Sequence, residues 1–430
     1  MPELSAGDTA WILTSAALVL LMTPGLAFFY GGMVRAKAVL NMLMMSFLCL
    51  AIVPVVWVLY GYSLAFDGSN GGFIGGLGKL GLDSIGLDAL SGTIPEFAFV
   101  AFQAVFAIIT VALISGAIAE RATFRGWAIF VVLWVTIVYF PVANWVWGGG
   151  WISELGAIDF AGGTVVHINA GAAALALALV LGRRVGWRRD PMRPHNLPFV
   201  LLGAGLLWFG WFGFNAGSQL AADGVASAVW VNTMVATASA ILGWLLIDVI
   251  KQRHSTTLGG ASGAIAGLVA ITPACAFVSP LGAILIGLVA GAVCALAVSL
   301  KYRFGFDDSL DVVAVHLVGG VIGTLMIGLL ATETFSGDPE RVGLFYGGGV
   351  DLLGKQAVAA GATIVYSFAI AYILGILIHR TVGFRVSEDT EMGGIDVAVH
   401  VESAYEFTPG AGPSSSHASV SGAKERSVQA

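Results

Sequence analysis

The sequence predicts an all-α polytopic membrane protein. Eleven transmembrane helices form an inverted 5+5 repeat plus one extra helix, with the N-terminus outside and the C-terminus inside. Three observations predict it. The 430 residues are 57% hydrophobic and only 11% charged, with a mean hydropathy of +0.89, whereas soluble domains carry about 25% charged residues. The apolar residues gather in runs of about 20, the length that crosses a bilayer as a helix. One motif, an Asp eight residues ahead of a His in a branched apolar run, is written twice, at Asp159–His167 and Asp308–His316.

By length and hydropathy the spans lie near 10–32, 40–64, 97–118, 125–146, 163–181, 197–217, 225–250, 258–276, 279–300, 312–331 and 355–379. The 58 glycines suit helices that pack closely in lipid. Basic residues stay on the inner side. Only Lys79, Arg341 and Lys355 fall in one set of loops, and the remaining 17 of the 20 Lys and Arg fall in the alternate loops and the tail. That asymmetry sets the orientation and requires an odd number of spans. The 26 acidic residues divide evenly between the faces, so the outer face is net acidic and concentrates cations; ordinary loop solvation accounts for the same charge. No basic stretch precedes the first run, so no cleavable signal peptide is expected. Cys49, Cys275 and Cys294 sit in apolar runs without metal spacing and read as small core residues. Residues 1–380 are expected to form the membrane domain and 381–407 a structured cytoplasmic tail docked on the inner face. Residues 408–430, rich in Gly, Pro and Ser, are expected to be disordered.

The two histidines organise this plan. His167 falls in span five and His316 in span ten. An interval of five spans reverses direction, so the repeat is inverted, with its functional site near the midplane. Eight helical residues rise about 12 Å, so the two rings approach mid-bilayer from opposite faces. An ionisable ring in an apolar span is costly and marks function by default. A core histidine satisfied by a carbonyl is the plainer reading for one ring, and the duplication argues against it. The spans hold no phosphate loop, metal cluster or Ser–His–Asp set, so no enzyme, cofactor or metal is implied, and nothing points to nucleic acid. An aqueous ion channel would need rings of carbonyls or carboxylates, and none is visible. An apolar conduit with two neutral imidazoles, each offering one donor and one acceptor, suits a small neutral hydrogen-bonding solute. Aromatics gather at outer span ends: Phe102 to Phe106, Trp145 to Trp147, and Trp208 to Ser218. Interfacial aromatic belts are common, yet such ring faces beside a hydroxyl can also hold a small cation.

At these residues the sequence resembles a known family. The stretches Thr23–Gly32, Gly116–Arg121, Asp159–His167, Asp308–His316, Gly383–Glu388 and Glu402–Tyr405 are similar to the ammonium transporter family (the Amt/Mep/Rh superfamily, bacterial Amt branch). The likeness runs from about Gly7 to Phe407. It implies an ammonium transporter of the cell (plasma) membrane, assembled as a homotrimer with one pore per subunit. It also implies a PII signal-transduction protein as partner at the cytoplasmic face. By position, Phe106, Trp147 and Ser218 would recruit ammonium at the outer face, with Asp159 in support. Phe106 and Phe214 would form a stacked gate. His167 and His316 would line the pore, with Trp211 beside them. Ammonium would give up its proton, which potassium cannot do, because a bare cation is prohibitively costly in a dry pore. Passive ammonia conduction and conduction with proton transfer both fit these residues. An ammonium sensor and an Rh-like gas channel are the rival readings. The first would need a signalling domain after the last span; the second does not need Trp147 and Ser218. The five arginines of 183–193 are the least familiar stretch.

Overall fold

The computed structural model describes residues 3–405; the expectation for 408–430 lies outside them. The fold is all-helical apart from a two-residue hairpin, Leu90–Ser91 with Ile94–Pro95. Among the described residues ten helices are long and apolar enough to cross a membrane: α1 Ala6–Met33, α2 Ala36–Phe66, α3 Glu96–Ile118, α4 Phe124–Leu155, α5 Gly163–Leu181, α6 Leu197–Gly217, α7 Gly224–Gln252, α9 Pro280–Phe304, α10 Val313–Leu330 and α11 Asp351–Thr381. This is the build of a polytopic membrane protein. Two short helices follow, α12 Glu388–Gly393 and α13 Ile395–His400.

The expected span at 258–276 differs. Its helix, α8, covers only Thr257–Ile271. Pro273 explains the early stop: it has no N–H to continue the ladder, so the hydrogen-bonded turns end there although Thr272 itself keeps helical backbone. Fifteen residues rise about 22 Å, short of a hydrocarbon core of about 30 Å. Non-helical backbone at such depth is tolerated only when buried in protein, and Thr272 to Val278 are all buried. The freed carbonyls find partners. Asn232 Nδ2 donates to the oxygens of Cys275 and Val278, each at 2.8 Å, and the Phe160 amide donates to Pro273 O at 3.2 Å.

The two halves meet through their histidine helices. Each begins with a π-helical turn, Gly163–Ile168 in α5 and Val313–Val318 in α10; such turns widen a helix locally and recur at functional sites. The packing is reciprocal. A Cβ on Gly171 would fall 2.4 Å from the Leu317 amide, and one on Gly320 would meet Ile168 at 3.0 Å. Each glycine lies four residues after its histidine, and each occluding residue follows the other histidine. The two helices that carry the repeated motif are thus in direct contact, α5 against α10.

The basic face is held by a buried ionic network. Glu120 takes Arg35 at 2.7 Å and Arg184 at 3.2 Å. Arg184 also grips Asp307 with Nε and Nη2, each at 2.9 Å. Arg121 donates to Asp307 O and Ser309 Oγ, both at 2.6 Å. The segment after α11 joins the same cluster. The Val386 amide bonds Arg121 O, Glu391 takes Arg385 at 2.9 Å and the Val185 amide at 2.6 Å, and Asp396 accepts the amides of Leu40 and Asn41. Burial opposes the charge on Glu120, but Arg184 and Arg35 outweigh it and hold its carboxyl below the usual range. Glu120→Ala leaves two arginines without their shared partner and is expected to cost about 3–5 kcal/mol, read as a lower thermal midpoint in detergent at neutral pH. Because the folded-state value is depressed, this contribution is present above the ordinary carboxylate range and fades as pH falls through the lowered value. The difference between wild type and variant should therefore shrink in acid.

Candidate functional site

The site is built from the start of α5 and α10. The Asp159 carboxylate accepts four backbone amides: Gly162 and Gly163 at 2.8 Å on Oδ1, Thr164 at 2.7 Å and Val165 at 3.2 Å on Oδ2. Asp308 does the same for α10, accepting Val312 at 3.1 Å and Val313 at 2.7 Å. The first amides of a helix have no partner in the ladder, and a carboxylate suits them. The repeated Asp is thus the cap of each histidine helix, and the fixed spacing sets each ring about one turn into the helix that it caps. Burial pushes the Asp159 carboxyl above the ordinary range while its four amides pull it back. Asp308 is pushed up to about 6 by burial and by nearby Asp311, with Lys301 opposing.

This geometry brings the rings together. His167 Nδ1 and His316 Nδ1 lie 3.2 Å apart, within hydrogen-bond distance. One nitrogen must donate and the other accept, so at most one of the two rings can be cationic while the bond holds. The imidazoles are nearly parallel, 25° apart with centroids at 5.3 Å, and both are buried. His167 Nε2 is buried without a hydrogen-bond partner. Trp211 lies on His167 at 5.4 Å and 19°. The space beside these rings is walled by apolar side chains such as Leu113, Leu207 and Ile265, and only the histidines and Trp211 bring side-chain nitrogens. Its volume is roughly 10 Å³, about the room needed by one water-sized molecule.

A run of rings leads to this space. Phe214 is 6.1 Å from His167 and stacks on Phe106 at 4.2 Å and 27°. Phe106 meets the face of Trp147 edge-on at 5.9 Å and 87°. Both phenylalanines are buried, while Trp147 and Ser218 are half-buried. Ser218 Oγ donates to Phe214 O at 2.8 Å, which leaves the oxygen's lone pairs free to accept. The sequence-read residues Phe106, Trp147, Ser218, Phe214, Trp211, His167 and His316 therefore form one connected set. Asp159 joins this set through its backbone alone: the carboxylate faces its own helix, and the backbone oxygen holds the Trp147 indole at 2.9 Å.

Three contributors escaped the sequence reading. Thr272, beside the break at Pro273, accepts the Trp211 indole N–H at 2.8 Å and bonds Asn215 Oδ1 at 3.2 Å. Asn215 in turn donates to Thr233 at 3.0 Å. This buried chain fixes the plane of Trp211 against His167. No sequence signal marks it, since Thr, Asn and Thr lie on three different helices.

Asp159→Ala strips four buried amides of their acceptor. An unpaired buried donor costs about 1–3 kcal/mol, and a lost helix cap costs about 1 kcal/mol. The variant is expected to lose at least about 2 kcal/mol of stability, measured as a lower thermal midpoint than wild type in the same detergent.

Comparison with known proteins places this geometry in context. The sequence model of the Ammonium Transporter Family matches residues 10–405. An ammonium transporter of Mycobacterium tuberculosis is 55% identical over 94% of this chain and 91% of its own length. One from Bacillus subtilis is 50% identical over 93% and 98%. Among solved structures, a Sensor Amt Protein superposes with a TM-score of 0.85 at 30% identity, covering 91% of this chain and 98% of its own.

Proposed function

The chain belongs to the Ammonium Transporter Family and is an ammonium transporter, a multi-pass integral membrane protein, and from that premise we propose how it transports. Ammonium docks at the aromatic cup of Phe106, Trp147 and Ser218, where ring faces attract the cation and the Ser218 oxygen accepts an N–H. It gives up its proton there or just below, to solvent at the outer mouth in passive conduction or onward to the ring pair in conduction with proton transfer. Ammonia then passes the stacked gate of Phe106 and Phe214 and moves along His167 and His316. The observation that carries this reading is the 3.2 Å contact between the two Nδ1 atoms at an apolar space of single-molecule size. A bare cation there would lose its hydration with only two uncharged rings as compensation. Ammonia can accept from one imidazole and donate to the other. The pair also forms a continuous hydrogen-bonded unit that can relay a proton.

In the same reading α8 and the buried turn after it together make an eleventh span. The N-terminus is then outside, and the network around Glu120 with the docked segment from 381 faces the cytoplasm. Membership of the family supports a homotrimer in the plasma membrane and a PII signal-transduction protein at the cytoplasmic face. A sensing role is the second reading, favoured by the likeness to the Sensor Amt Protein. The higher identity to the transporters of Mycobacterium tuberculosis and Bacillus subtilis favours transport.

The cup is tested by Trp147→Leu. Losing one cation–π face, worth about 0.5–2 kcal/mol, should raise the half-saturating ammonium concentration several-fold in proteoliposome uptake, while the protein still folds. Unaltered uptake at every ammonium concentration would remove Trp147 from recruitment.

A further inference from the structure

The five arginines of 183–193 are not used by the pore. Arg184 is buried and spent on Asp307 and Glu120. The other four differ. Arg183, Arg188, Arg189 and Arg193 are exposed, and among the described residues no carboxylate lies within ion-pair distance of any of them. They are nevertheless held in place. Arg183 Nε donates to Gly305 O at 2.8 Å. The guanidinium carbons of Arg183 and Arg188 sit 5.0 and 5.6 Å from the Trp187 ring centre. Trp187 itself stacks on Tyr302 at 5.9 Å and 18°. The backbone is a closed turn, with the amides of Arg189 and Asp190 both bonded to Gly186 O at 2.8 Å. Arg188 is held at φ 66°, a left-handed conformation that non-glycine residues seldom adopt. A strained turn with stacked arginines is a prepared surface, not loose solvation.

One cleft of about 460 Å³ collects Arg183, Arg184, Arg188 and Arg189 on one wall and Arg385 with Glu388 on the other. Arg184 and Arg385 have carboxylate partners, and Glu388 is the acid that faces the cleft. That leaves three unpaired guanidiniums around one opening against one carboxylate. A ligand that settles there needs at least two negative charges and several acceptor oxygens at fork spacing. Phosphate meets both needs, and arginine binds it bidentately.

We propose that this cleft, between the arginine turn and the segment leaving α11, is a binding site for a phosphate-bearing anion. The ligand is either a soluble phosphate ester or the headgroup of an anionic phospholipid at the membrane surface. The site stands apart from the twin-histidine reading, which supplies only the compartment the ligand comes from.

The test uses the full chain in nanodiscs, where both faces are open, so the result depends neither on orientation nor on transport. Calorimetric titration with inorganic pyrophosphate in neutral-lipid discs is one arm. Native mass spectrometry of discs doped with phosphatidylglycerol is the other. Saturable binding of one ligand per chain is expected in one arm: the first identifies a soluble phosphate, the second a lipid. Arg188→Gln and Arg189→Gln should each weaken it about tenfold, as losing a charge-assisted hydrogen bond implies. Arg303→Gln, an exposed arginine outside the cleft, should leave it unchanged. The proposal is overturned by no saturable binding in either arm, by equal weakening in all three variants, or by displacement with chloride at matched ionic strength.

Discussion

Two carboxylates set the geometry on which the rest depends. Asp159 and Asp308 gather the free amides at the starts of α5 and α10, and each fixes where its helix begins. The π-helical turn that follows leads into the histidine. Because the two helices pack glycine against backbone at Gly171 and Gly320, the two rings are brought within reach of each other. Shifting either cap by one residue would turn its ring by about 100° around the helix and break the Nδ1 contact. The same Asp159 also holds Trp147 through its backbone oxygen. A single residue thus ties the mouth of the site to its centre.

Dryness and hydrogen bonding act together in the proposed mechanism. The walls are apolar and the space admits about one small molecule, so a cation gains nothing there that replaces its water. The polar atoms are few and placed in line. Trp211 is held from behind by Thr272, Asn215 and Thr233, which keeps the His167 face covered. The other expensive polar groups are moved to the basic face, where Glu120, Asp307 and the arginines satisfy one another and pin the segment after α11.

Much of this was legible in the sequence because membrane solvation leaves few choices. Apolar runs must be helices. The duplicated Asp–His spacing announced the central pair, and the aromatic clusters at Phe106, Trp147 and Phe214 proved to be neighbours. What escaped depends on contacts between distant segments. The stop at Pro273 was hidden inside an apolar run, and its cost is met by Asn232 from another helix. Thr272 became a partner of Trp211 only through folding. Asp159, read as a support for the cup, does hold Trp147, but through its carbonyl, and no sequence pattern showed that its carboxylate would turn to its own helix. The ionic network joins Arg35, Glu120, Arg184 and Asp307 across most of the chain, and no local pattern predicts such a meeting.

The most direct test of the account compares ammonium and potassium fluxes in proteoliposomes for wild type and His167→Ala. Wild type should take up ammonium and reject potassium. The alanine variant, which opens the apolar space and removes half of the ring pair, should fold but lose most of its ammonium flux or its rejection of potassium. An alanine variant with wild-type ammonium flux and wild-type potassium rejection would contradict the account, and the repeated Asp–His motif would then be a packing device.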